Sequence, residues 1–253
     1  MVLVAGLLLA AFQFLLTRVA DYFLRRGAFG QLSSLLPDFV RNAAGPSALA
    51  LMSYKGIVAF GYFHPVVIAT LIGLMIAIAT EPAAEVETRF VDLMLARPLT
   101  RASVIVRSLV VLAVTAAVVL GLMLVGTALG LAFGAPDNAP HLPFALFLSL
   151  ALSLGAVMAC WAGIALAWAA GVRRRATAGA VAGGLALASY LLDYLGRAWE
   201  PARSISAVSP FHYFDANALV TGQPINTRNI AILVVIGIVG SATGLAIFSH
   251  RDI

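Results

Sequence analysis

Charge is absent from long blocks of this chain. Residues 56–80, 108–136, 138–172, 176–192 and 229–250 contain no Asp, Glu, Lys or Arg, and Arg18 is the first charged side chain from the start. A helix needs about 20 predominantly apolar residues to cross the hydrocarbon core of a bilayer. Five blocks meet or approach that length, and residues 1–17 supply a sixth where the helix continues toward Tyr22. Barrel strands would alternate apolar and polar residues over about 10 positions. LVVLAVTAAVVLGLMLVG (109–126) does not alternate. The blocks therefore predict an all-α integral membrane protein with about six transmembrane helices. A single transmembrane domain, 1–253, carries spans at about 2–20, 57–79, 107–134, 143–170, 176–195 and 229–249.

Composition supports that reading against a soluble helical core. The chain is 62% hydrophobic and 11% charged, where soluble domains carry about 25% charged residues. The net charge of +5 does not point to nucleic acid, because the arginines stand at the edges of apolar blocks, where they anchor to lipid headgroups. Cys160, the lone cysteine, lies mid-span, so it reads as a small packing residue and supports neither a disulfide nor a cysteine metal site. Residues 1–17 lack a basic leading region, which favours a retained first span over a cleaved signal peptide. A span opening at Met1 also leaves room for a longer, basic native N-terminus.

Loop charges set the expected orientation. GVRRRATAG (171–179) places three arginines between the fourth and fifth spans, whereas GAPDNAPHLP (134–143) has no basic residue. The first loop is then cytoplasmic and the second is outside. Parity puts 80–107, with Arg89, Arg97, Arg101 and Arg107, on the cytoplasmic side, together with both termini. Between the first two spans, Leu32, Leu35, Leu36, Phe39 and Val40 recur at helical spacing, as in an amphipathic surface helix.

The charged stretch EPAAEVETRFVDLMLARPLTR (81–101) reads as a second amphipathic helix. Pro82 suits a first turn, and Glu81, Glu85 and Glu87 lie near the positive end of the helix dipole. Val86, Phe90, Leu93 and Met94 share one face, Arg97 suits the C-terminal end, and Pro98 disfavours helix at the residue before it. Thr100 is placed to cap the third span. The residues alone leave two readings open: a helix resting on lipid, or a helix presented to a cytoplasmic partner.

The second reading gains from a resemblance. Glu85 and Glu87 followed by Asp92-Leu93-Met94-Leu95-Ala96-Arg97-Pro98-Leu99-Thr100-Arg101 are similar to the permease subunits of type-2 ATP-binding-cassette (ABC) exporters. SPFHYF (209–214) before the last span and FSHRDI (248–253) at the end also resemble that family, and the six-span layout matches over nearly the whole chain. The chain departs from it in having almost nothing before the first span, and in following Glu87 directly with Thr88-Arg89 where the family reads E-x-G-T. The resemblance implies an exporter in the bacterial inner membrane, with two permease copies (a homodimer, or a heterodimer with a similar permease) and two copies of a cytoplasmic ATPase. It also implies that 81–101 is a coupling helix seated in that ATPase, through Glu85, Glu87, Arg89, Asp92, Arg97, Pro98 and Arg101. The chain has no G-x-x-x-x-G-K-[ST] loop and its only lysine is Lys55, so ATP and magnesium belong to the partner and the chain is no enzyme.

Other residues carry weaker expectations. His64-Pro65 reads as a proline kink with a neutral histidine, or as a proton relay. Asp193 reads as part of an interfacial aromatic belt with Tyr190, Tyr194 and Trp199, or as a cation site. Gly179 and Gly183 are the candidates for the permease dimer interface, although Gly126/Gly130 and Gly240/Gly244 repeat the spacing. Pro210, Phe211, Tyr213 and Phe214 are candidates for an outer gate, or form a simple anchor. The arginines at 173–175 read first as a lipid anchor. No nucleophile–base arrangement and no metal-ligand cluster is visible, and no two of the four histidines share a helix face. A secondary transporter or channel using His64 and Asp193, and a membrane scaffold, are the competing functions. Lipophilic or amphipathic cargo suits the apolar interior.

Overall fold

The computed structural model describes residues 2–29, 50–89, 100–134 and 139–250. The long helices are α1 (Val2–Arg25), α3 (Pro65–Ala79), α5 (Arg101–Gly134), α6 (Phe144–Gly171), α7 (Arg175–Ala198) and α10 (Thr227–Ser249). Short helices fill the joints: α2 (Tyr54–Ala59), α4 (Glu81–Glu87), α8 (Arg203–Ser206) and α9 (Ala216–Val220), with 3-10 turns at Phe60–Tyr62, Glu200–Ala202 and Pro210–Tyr213. No strand occurs among the described residues. Six helical stretches among them are long and apolar enough to cross a membrane, the second running Tyr54–Glu87. The amphipathic segment expected around Leu32–Val40 lies outside the described residues.

The described residues divide into two compact units. The first comprises residues 2–29, 50–68, 117–134, 139–154 and 215–225; the second comprises residues 69–89, 100–116, 155–214 and 226–250.

The first unit is built around a polar seam. Gln13, Thr17 and Asp21 recur every four residues on α1, so all three share one face, and that face is buried. The Tyr54 hydroxyl donates to Asp21 Oδ1 at 2.8 Å, and Arg18 Nη1 lies 3.6 Å from Asp21 Oδ2. Tyr62 and Thr127 join hydroxyls at 3.0 Å. The seam closes tightly because Gly126 lets α5 meet α1 backbone to backbone: a Cβ there would collide with the Ala10 carbonyl.

The second unit has an apolar seam. Gly163 of α6 and Gly237 of α10 face each other, and a Cβ on Gly237 would stand 2.7 Å from the Ala159 carbonyl oxygen. Gly240 and Gly244 continue the contact along α6. No side chain intervenes at these glycines, so dispersion between the two backbones holds the helices together.

Candidate functional site

The charged stretch after α3 is tied down by contacts within the chain. Thr80 starts α4; its hydroxyl donates to Ile76 O at 2.9 Å and its carbonyl receives the N–H groups of Ala83 and Ala84. Pro82 follows in the first turn, where its missing N–H costs nothing. Ala83 is fully buried against Ala169 and Ala178, the small side chains bringing α4 close to the end of α6 and the start of α7.

The acids of α4 are then engaged by arginines of this same chain. Arg175 holds Glu81 with Nη2 at 2.6 Å, gives its backbone N–H to Glu87 Oε2 at 2.9 Å, and donates from Nη2 to the Ala77 carbonyl at 3.0 Å. Arg107 of α5 pairs with Glu85 Oε1. Of the expected lipid-anchoring arginines, Arg175 thus acts as a clamp between α4 and α7.

The single amphipathic helix expected over 81–101 is corrected at its middle. α4 ends at Glu87: the Thr88 amide and hydroxyl both return to the Ala84 carbonyl, at 2.9 Å each, and Arg89 turns left-handed with φ 57°. That conformation is one glycine adopts freely and a residue with a Cβ resists, by about 1 kcal/mol. Asp92, Arg97 and Pro98 lie outside the described residues, as do Phe90, Leu93 and Met94. Arg101 opens α5, and the carbonyl of Thr100 accepts the Ser103 amide at 2.9 Å.

The aromatic segment before the last span forms a pinned 3-10 turn. Ser209 anchors it: its hydroxyl donates to Ser189 O at 2.8 Å and accepts the Phe211 amide at 3.1 Å. Pro210, Phe211 and Phe214 are buried, with the Phe211 ring 5.7 Å from Trp161 and 5.4 Å from Tyr190. Tyr213 reaches back to Ala207 O at 2.9 Å.

Beside this turn, Asp193 is 7% exposed and accepts from Arg197 Nε at 2.8 Å. Its other oxygen has no hydrogen-bond partner and lies 4.0 Å from His212 Nδ1. Tyr194 and Trp199 are exposed, as belt residues are, while Tyr190 belongs to the packed turn. Among the described residues no three His, Cys, Asp or Glu side chains gather as a metal site.

His64 precedes α3. Its Nδ1 accepts the Val66 amide at 3.2 Å, so it serves as the cap of the helix that Pro65 opens, with Phe12 and Phe60 edge-on at 5.7 and 4.9 Å. Gly179 and Gly183 face open space: a Cβ on either meets nothing within 4 Å. On α7 the buried face is instead Ala178, Ala182 and Ala186.

Two features escaped the sequence reading. The buried Gln13–Thr17–Asp21 row carries a signal that was available, polar residues at four-residue spacing in an apolar helix. The second is a cavity of about 460 Å³ in the second unit, between α3, α5, α6 and α10. Met75, Leu112, Ala162 and Gly237 form its buried floor, and Ala113 and Ile238 its exposed rim. No periodicity in one helix announces a hollow shared by four.

The family model described as "Multidrug efflux system permease Rv1217c, C-terminal domain" matches residues 6–249. No curated protein and no solved structure matches the chain. The family match reaches each of the six membrane-competent helices, and on that extent the chain belongs to the family of the Rv1217c permease C-terminal domain.

Proposed function

We propose that this chain is the membrane subunit of an ATP-driven exporter of lipophilic or amphipathic compounds. The observation that carries the reading is the match to a multidrug efflux permease over residues 6–249 of a chain with six apolar helices. The resemblance of 85–101, 209–214 and 248–253 to type-2 ABC permeases supplies the energy source: a cytoplasmic ATPase in two copies, holding ATP and magnesium. Two permease copies enclose the path, with Gly179 and Gly183 at their interface. The protein sits in the bacterial inner membrane with both termini in the cytoplasm.

The α4 contacts suggest how work enters. A push on the segment after α3 is passed through Glu85–Arg107 to α5, and through Glu81 and Glu87 to Arg175 at the start of α7. Tilting of those spans changes access to the path. The pinned turn at Pro210–Tyr213 gates its outer end.

Co-expression with the candidate ATPase tests this. The expected result is co-purification in detergent and vanadate-sensitive hydrolysis stimulated by lipophilic compounds. Uptake driven by an ion gradient in liposomes lacking any ATPase overturns it in favour of a secondary transporter. Absence of any compound-stimulated hydrolysis or gradient-driven flux points to a scaffold.

A further inference from the structure

The cavity between α3, α5, α6 and α10 is not accounted for by packing or by the polar seam. Its volume of about 460 Å³ lies within the usual range of small-molecule sites, about 300–1,000 Å³. Four helices converge on it, and its floor is set by small residues, Ala162 and Gly237, beside the larger Met75 and Leu112. The only hydroxyl in the lining, Ser241, is occupied with the Gly237 carbonyl at 2.8 Å. The lining therefore offers no charge and no free side-chain N–H or O–H donor, and a buried charge there would be strongly disfavoured.

The rim decides how a ligand arrives. Ala113 and Ile238 are exposed, and α10 continues outward as aliphatic surface at Val235, Val239 and Ile247. On a membrane-spanning helix such a surface is wetted by hydrocarbon. A molecule already dissolved in the bilayer reaches the floor without crossing water or breaking a polar contact.

We propose that this cavity is a binding site for an uncharged, lipophilic cargo molecule that enters sideways from the bilayer. The proposal rests on the exporter reading and adds to it the location and the chemistry of a site. Charged amphipathic cargo is excluded from this cavity, though not from the transporter as a whole.

Photolabelling of the purified full chain in lipid nanodiscs tests it, with adamantyl diazirine, an uncharged hydrocarbon probe, read by mass spectrometry. The expected result is saturable labelling of peptides containing Met75, Leu112 or Ala162. Ala162→Phe, which fills the floor, weakens it by about tenfold. Leu245→Ala, which widens the cavity, preserves saturable labelling and guards against a filling variant that merely misfolds.

Labelling that rises linearly, no faster than on the exposed Leu187, means that bilayer hydrocarbon alone occupies the hollow and overturns the proposal. So does saturable labelling that Ala162→Phe, shown folded by unchanged elution and helicity, leaves unaltered. The exporter reading is judged separately: loss of saturable labelling with compound-stimulated hydrolysis intact removes this site only. Saturable labelling without any ATPase dependence of efflux removes the exporter reading only.

Discussion

The two units solve the same problem with opposite chemistry. In the first, buried polar groups pair across elements: Asp21 of α1, at 2% exposure, takes the Tyr54 hydroxyl, and Tyr62 of the 3-10 turn meets Thr127 of α5. In the second, α6 and α10 meet through glycines with backbone against backbone. Hydrocarbon competes poorly for polar groups but matches any apolar helix surface. A polar seam thus gains from the cost of leaving its members unpaired, whereas an apolar seam depends on close fit. The first should therefore fail when one hydroxyl is removed, the second when one methyl-sized group is added.

The largest expected effect follows from the second seam. Gly163→Leu or Gly237→Leu places side-chain atoms where the opposing backbone stands and should cost about 3 kcal/mol, near the upper end for overpacking. Elution in detergent and thermal unfolding read it, as loss of a monodisperse peak. Gly179→Leu and Gly183→Leu, which project into open space, should leave that peak's stability unchanged. If they also abolish self-association, the interface assigned to them is correct. If all four variants behave alike, the distinction between inner and outer glycines is wrong.

Next comes the polar seam. Tyr54→Phe removes the donor to Asp21 and should destabilise by about 1.5–3 kcal/mol, the range for hydrogen bonds to charged groups. Tyr213→Phe, which removes an exposed hydroxyl bonded to a backbone carbonyl, should cost less than about 1 kcal/mol. Equal losses in the two variants would show that the buried seam is no more demanding than the surface.

The α4 pairs give a smaller but more diagnostic effect. Glu85→Arg opposes Arg107 and should lower co-purification with the ATPase, and the double swap Glu85→Arg/Arg107→Glu should recover most of it. Recovery identifies the pair as an internal strut; no recovery means Glu85 touches the partner itself. The smallest effect is Arg89→Gly, which relieves the left-handed residue at φ 57° and should raise stability by up to about 1 kcal/mol in thermal unfolding.

The readability of the sequence varied with the range of the interaction. Spans were legible because length and apolarity are local properties, and six membrane-competent helical stretches lie along the apolar blocks, from Val2–Arg25 to Thr227–Ser249, the second interrupted between Tyr62 and Pro65. The break at Thr88-Arg89 was not, because helical periodicity continued past it while the Thr88 hydroxyl and amide turned back on Ala84. The acids of α4 were identified, but not their owners: Arg107 and Arg175 are 22 and 88 residues away in the contacts they make. Asp193 was singled out, yet its relation to His212 depends on how the 3-10 turn folds back onto α7.

What the sequence determined alone is the solvent of the protein and the number of apolar helices it offers to a bilayer. Both follow from summing side-chain transfer energies along one stretch of chain. The tertiary structure decided which of many similar small residues are contacts and which are surface. Gly237 and Gly183 are chemically identical, and only the presence of a second backbone beside one of them makes it irreplaceable. The same holds for the cavity: Ala162 and Met75 become a binding floor only where four helices leave space that none of them encodes.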